Sequence, residues 1–218
     1  MEEKLIELSL KQYLENGKGP RANPGGGSVA AYVEAIGTAL AMMALELSYG
    51  KDEYESLDTS IKNDLEDLKA DYDDIIERLE FFVDEDSKSF QGALEAFKLP
   101  KDTEEQKELR STAIQEGYKY ALSVPLDTAR LGRDVMEGLE VYAKHCSPVA
   151  ISDVGCAILF LASGIEAALQ NVLINLKSIK DEDFANNTRN EMEEIKSYAR
   201  SQRDELMEII YERIEEEA

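Results

Sequence analysis

The chain has 218 residues, enough to bury a substantial core, and its 43% hydrophobic and 32% charged content is that of a globular protein rather than a disordered one. With 46 acidic against 24 basic residues the formal charge is −22, a field that repels nucleic acid and anionic membrane surfaces. Two cysteines, Cys146 and Cys156, make neither a disulfide framework nor a metal-spaced set, and a single histidine, His145, excludes a zinc site built on several histidines.

Proline is scarce and no segment alternates strongly between apolar and polar, which favours helices throughout. Glu34 and Glu46 interrupt the longest apolar stretch, so no membrane-spanning run is expected. The start Met-Glu-Glu-Lys has no apolar secretory core behind it, so a cytoplasmic location is expected.

In chain order, Leu5 to Leu14 reads as a first helix with Ile6, Leu10, Tyr13 and Leu14 as apolar contacts. Asn23-Pro24-Gly25-Gly26-Gly27-Ser28 then concentrates glycine as nowhere else in the chain. Three glycines in succession permit backbone angles that a Cβ would resist, and Ser28 stands where an N-cap would open the next helix. Two readings follow: a tight connection letting helices pack closely, or an edge of bare N–H donors at a helix start. The helix from about Ser28 to Tyr49 is rich in alanine and is expected at the centre of the fold.

Gly50 to Glu55 reads as a turn. The clearest periodicity follows it: Ile61, Leu65, Leu68, Tyr72, Ile75, Leu79 and Phe82 step by four and three, the stripe of one long helix. The next step of four lands on Asp86, where the stripe asks for an apolar residue. A carboxyl on the buried side of a helix must find a partner or rise in pKa, so Asp86 is a candidate acid–base group; the other reading is an exposed Asp at a frayed edge. Asp84, two positions away, faces elsewhere on a regular helix.

Leu99-Pro100 closes that helix, and Asp102 with Glu105 resembles a capping box for the next, which breaks or kinks at Pro125. A further helix carries Leu126 to Tyr142 and ends in the Cys146-Ser147-Pro148 loop. Ser152-Asp153 opens an apolar helix from Val154 to about Leu176, in which Asn171 and Asn175 lie four apart on one face and require hydrogen-bond partners, from ligand or from protein. Asp181-Glu182-Asp183 caps a final helix ending in a charged tail. Without linker, repeat or low-complexity tract, the expectation is one all-α domain over residues 1–218, a single bundle of long, mostly antiparallel helices.

The glycine loop lacks the Lys-Ser/Thr of a phosphate loop and the preceding strand of a dinucleotide fold. It is similar instead to the formiminotetrahydrofolate cyclodeaminase and methenyltetrahydrofolate cyclohydrolase family. The resemblance is carried by Pro24 to Ala31, Val83-Asp84-Glu85-Asp86 with Phe90, Lys98-Leu99-Pro100-Lys101, Val124-Pro125-Leu126, Ser152-Asp153-Val154-Gly155, and Asn171 to Leu176, in that order along nearly the whole chain. It implies an all-α homodimer acting on a tetrahydrofolate derivative, with no metal, no bound cofactor, and any formiminotransferase a separate protein. It implies Asp86 as the acid–base group, with Asp84 as fallback, and Gly25, Gly26, Gly27, Ser28, Ser152, Asp153, Asn171 and Asn175 as substrate-binding residues. A non-catalytic helical interaction protein, associating through its apolar seams, is the rival from another class.

Overall fold

Alanine and glycine set the middle of the molecule. In a computed structural model, which describes residues 4–20 and 23–216, two small-residue helices, α2 (Gly26–Ser48) and α7 (Ile151–Leu176), pack on each other more extensively than any other pair. They are antiparallel: Gly26 lies against Asn171, and Gly37 against Ala157 and Leu161. A Cβ at Gly37 would approach the Leu161 side chain to 3.1 Å, so the close crossing depends on small residues.

Around this pair stand α4 (Thr59–Ser89), α6 (Glu104–His145) and α8 (Glu182–Glu216). The stripe on α4 points inward as the periodicity predicts, with Leu65, Tyr72, Leu79 and Val83 buried. Cross-links give the directions. Ser28 meets Val83 at one end of α2 while Tyr49 meets Glu66 at the other, so α4 is antiparallel to α2. Tyr72 donates to the Val135 carbonyl at 2.7 Å and Tyr120 to Glu85, so α6 reverses again. Bidentate pairs fix α8: Arg130 with Glu191 on α6's side, and Arg200 with Glu166 on α7's. The result is an up-and-down, all-helical bundle, with no strand among the described residues. Leu45, Leu65, Leu122, Leu139 and Ile158 are excluded from water, and truncating one of them to alanine costs about 2–5 kcal/mol.

Several local expectations change. The first helix splits into a 3-10 turn at Leu5–Glu7 and α1 (Leu10–Gly17), because Ser9 and Gln12 form a capping box between them. Leu10 and Leu14 face solvent instead of the core. The turn after α2 contains Gly50 at φ +71°, left-handed backbone that suits glycine, and a short helix α3 (Asp52–Glu55). Helix α5 (Gln91–Ala96) follows α4 after a break at Phe90. The capping box of α6 is Thr103 with Gln106, one residue out of register from Asp102 and Glu105. Pro125 does not break the helix: α6 runs through it.

By length and hydropathy both α2 and α7 are apolar enough to cross a membrane, contrary to the expectation from Glu34 and Glu46; isolated carboxylates do not outweigh a window this apolar. In the fold they are core helices, each with about half of that window buried. Asp181 caps α8 by accepting the Phe184 N–H at 3.0 Å, and the charged end of α8 is helical to Glu216; Glu217 and Ala218, like Met1 to Glu3, lie outside the described residues.

Candidate active site

The N-cap of α2 is Gly25, not Ser28, and it has no side chain to offer the amides of the first turn. One of them finds its acceptor on another helix: the Ser28 N–H donates to Asp86 Oδ2 at 2.9 Å. The apolar stripe of α4 thus ends in a carboxyl aimed at the positive end of α2, where a negative charge is favoured. Asp86 is half-buried, and burial pushes its carboxyl above the ordinary range while the Ser28 amide holds it down.

The glycine run is explained by approach rather than by backbone angle. Neither Gly26 nor Gly27 has positive φ; Gly50 alone does among the described residues. A Cβ at Gly27 would stand 2.1 Å from Asp86 Oδ1, and one at Gly26 would stand 3.2 Å from Asn171 Nδ2. Gly27 therefore admits the carboxyl and Gly26 admits the amide, bringing α4 and α7 to the same helix start. Asn171 lies half-buried at this rim, its Nδ2 donating to the Ala167 carbonyl of its own helix at 2.9 Å. Just before the run, Asn23 accepts from the Ser87 hydroxyl at 2.8 Å, tying the loop to α4 one residue past Asp86.

Ser28 is fully buried, so its contribution comes through its amide and its internal bonds. Its hydroxyl donates to the Val83 carbonyl at 2.7 Å. That spends its one proton, so the Tyr13 hydroxyl, 3.2 Å away, must donate to Ser28 Oγ. Tyr13, read from the sequence only as an apolar contact, in this way fastens α1 over the site. Burial raises the Tyr13 phenol above its ordinary value, and the carboxylates of Asp86 and Asp84 add to the effect.

The structure separates the other expected residues. Asp84 is buried and its Oδ1 accepts the Leu5 N–H at 2.6 Å, which pins the N-terminal turn to α4. Asn175 donates to the Ala121 carbonyl of α6 at 3.0 Å. Ser152 and Asp153 begin α7 at the opposite end of the bundle, about 27 Å along the helix axis from Asn171 at 1.5 Å per residue. Within one chain, α7 thus holds Ser152 and Asp153 at one end and both asparagines at the other. Among the described residues no group of three His, Cys, Asp or Glu is placed to hold a metal.

One turn beyond Asp86 an aromatic wall begins. Phe90 and Phe97 are partly exposed and flank Tyr118, with ring centroids 5.6 and 6.3 Å away. Arg110 lies over Phe97 and donates to its carbonyl. A half-buried carboxyl, a helix N-terminus and an amide therefore meet at this end of α2, with aromatic surface beginning one turn further along the chain.

A family model described as formiminotransferase-cyclodeaminase matches residues 9–194. The chain belongs to that family. Formimidoyltransferase-cyclodeaminase of Mus musculus is 35% identical to it over 202 residues, covering 92% of this chain and 36% of that protein, so the chain spans about a third of the length of such relatives. Methenyltetrahydrofolate cyclohydrolase of Methylorubrum extorquens is 32% identical over 206 residues, covering 94% of this chain and 95% of that one. A crystal structure of formiminotetrahydrofolate cyclodeaminase from Thermotoga maritima superposes with a TM-score of 0.82 at 26% identity, covering 95% of this chain and 98% of the other. These relatives place the chain among folate one-carbon enzymes of the cyclodeaminase and cyclohydrolase family.

Proposed function

We propose that the chain cyclises 5-formiminotetrahydrofolate to 5,10-methenyltetrahydrofolate with release of ammonia, and that Asp86 moves the protons. The observation that carries this reading is the half-buried Asp86 carboxyl, raised by burial and steadied by the Ser28 amide, at the family's glycine loop. N10 attacks the formimino carbon and gives its proton to the carboxylate. The carboxyl then returns it to the formimino nitrogen, which takes one further proton from solvent and leaves as ammonia. The methenyl bridge keeps the positive charge, so atoms and charge balance with acid–base chemistry alone. Asp84, committed to the Leu5 amide, has no part in this sequence. Gly25, Gly26 and Asn171 border the substrate, and the Phe90 to Phe97 surface carries one of its rings.

A second reading has its own support, since one relative matched along almost its entire length is named a cyclohydrolase. There the same carboxylate takes a proton from water attacking the methenyl carbon and gives it to N5 as the C–N5 bond breaks, and the hydroxyl proton passes to solvent, leaving 10-formyltetrahydrofolate. Purified protein offered each substrate separately decides between them. Ammonia release from the formimino compound supports cyclisation, and loss of methenyl absorbance without it supports hydrolysis. Failure to bind either folate by calorimetry supports an interaction protein.

We also propose a homodimer formed through the outer face of α2 and α7. Val29, Met43, Leu47, Leu159, Phe160 and Ile174 are exposed there, and Glu34, Glu46, Asp153 and Glu166 are the only charged residues on the two helices. On a chain at −22 that face is poor in charge, and burying it against a second copy removes it from water. Sedimentation velocity should give twice the chain mass, and Phe160→Glu should return it to one chain.

A further inference from the structure

Pro125 lies inside α6, and a proline there removes one bond of the helix ladder. In an α-helix the N–H of residue i bonds the carbonyl of residue i−4, so the carbonyl left without its partner is that of Ala121. The proline ring also crowds that carbonyl and turns it outward. Ala121 is 2% exposed, so solvent is a poor substitute, and a buried carbonyl without a donor is costly. The donor comes from α7: Asn175 Nδ2 reaches the Ala121 carbonyl at 3.0 Å. Because a carbonyl can only accept, the amide nitrogen of Asn175 must be the atom that faces it.

We infer that Pro125 and Asn175 act as a matched pair: the proline frees a carbonyl on α6, and Asn175 uses that carbonyl to fix the end of α7, so that Asn171 meets Gly26 at the mouth of the site. Asn175 is then a positioning residue. The spacing supports this, because Asn171 and Asn175 share one face of α7, one turn apart, and the first abuts the glycine loop while the second abuts α6. Other bonds close the loop after α7 without setting that turn. Gln115 on α6 donates to the Ser178 carbonyl at 3.0 Å and accepts the Lys180 N–H at 2.8 Å, and Lys119 pairs with Asp181 at 2.7 Å. These clasps hold the two helices together when Asn175 is replaced, so its loss moves the turn carrying Asn171 rather than unfolding the bundle.

The test is a four-protein cycle: wild type, Asn175→Ala, Pro125→Ala and the double variant. Pro125→Ala restores an N–H to the Ala121 carbonyl from within α6, and alanine is a stronger helix former than proline, so this variant folds. If the pair is matched, Asn175→Ala alone lowers kcat/KM on the order of ten-fold and also lowers the melting temperature, whereas in the Pro125→Ala background its effect shrinks to within about two-fold. An equal loss in both backgrounds overturns the inference, because a residue contacting substrate cannot be rescued by repairing a helix bond. Pro125→Leu restores the same N–H and serves as an independent check on the alanine variant. The activity readout rests on the proposed folate chemistry, whereas the melting temperatures do not. Coupled melting temperatures without any folate turnover would refute that chemistry and keep the pair; uncoupled melting temperatures refute the pair whatever the activity.

Discussion

Asp86 and Glu34 are two carboxyl groups pressed against glycines, and the difference between their surroundings separates chemistry from packing. Asp86, on α4, looks over Gly27 at a helix N-terminus, is half-buried and accepts the Ser28 amide. Glu34, on α2, is wholly buried where α2, α6 and α7 cross, in space left by Gly132 and Gly164. Neither Glu34 oxygen has a well-formed hydrogen bond; the Gly132 backbone opposes the effect of burial only weakly, and the carboxyl is raised well above its ordinary range. One glycine lets a carboxyl reach the Ser28 amide while it stays partly open to solvent. Two glycines give the other only room, and burial raises its pKa.

The comparison breaks most sharply at Gly27. Gly27→Ala places a methyl group 2.1 Å from Asp86 Oδ1, a distance that requires the carboxyl to leave the Ser28 amide. Turnover should fall on the order of a hundred-fold, because misplacing a reacting group by about 1 Å costs that much, while circular dichroism stays helical. Wild-type turnover in this variant would separate Asp86 from the chemistry.

At Glu34 the expected effect is on stability. The unfolded chain releases the Glu34 proton near the ordinary glutamate value, whereas the folded chain keeps it, so this group's contribution is complete below that value and is lost as pH rises toward its folded pKa. Urea unfolding at a series of pH values should show wild type losing stability relative to Glu34→Gln as pH rises from the ordinary glutamate value toward the folded pKa. Parallel profiles for the two proteins would show that Glu34 ionises normally. Turnover of Glu34→Gln should match wild type, since Glu34 stands outside the site.

Gly164→Ala sharpens the packing side of the contrast. Its methyl group would meet Glu34 Cγ at 2.4 Å, an overpacking expected to cost about 1–3 kcal/mol by thermal unfolding. In a Glu34→Ala background most of that cost should vanish. The smallest effect is expected at Tyr13, where Tyr13→Phe removes the hydroxyl that donates to Ser28 and should lower kcat/KM only a few-fold, in line with about 1 kcal/mol for one hydrogen bond.

Much of the fold was readable because its signals are local. The stripe from Ile61 to Phe82 predicts α4, and its next step predicts a buried-side Asp86, which is where the structure puts it. Asp86, the glycine run and Asn171, far apart along the chain, meet at one end of the bundle. What was misread depends on contacts across the chain. Three glycines suggest unusual backbone angles, yet the reason for Gly26 and Gly27 is the side chains on other helices that approach them. Pro125 reads as a break until Asn175, fifty residues on, supplies the missing donor. Glu34 reads from the sequence as an interruption of an apolar stretch, whereas the fold buries it completely.

The central claim is that Asp86 carries the proton transfers. Asp86→Asn keeps the shape and the Ser28 contact but cannot exchange a proton, so ammonia release from 5-formiminotetrahydrofolate, followed by single-turnover kinetics at neutral pH, should drop on the order of a thousand-fold with the helical spectrum unchanged. Turnover within ten-fold of wild type would contradict the account and move the acid–base role to another group.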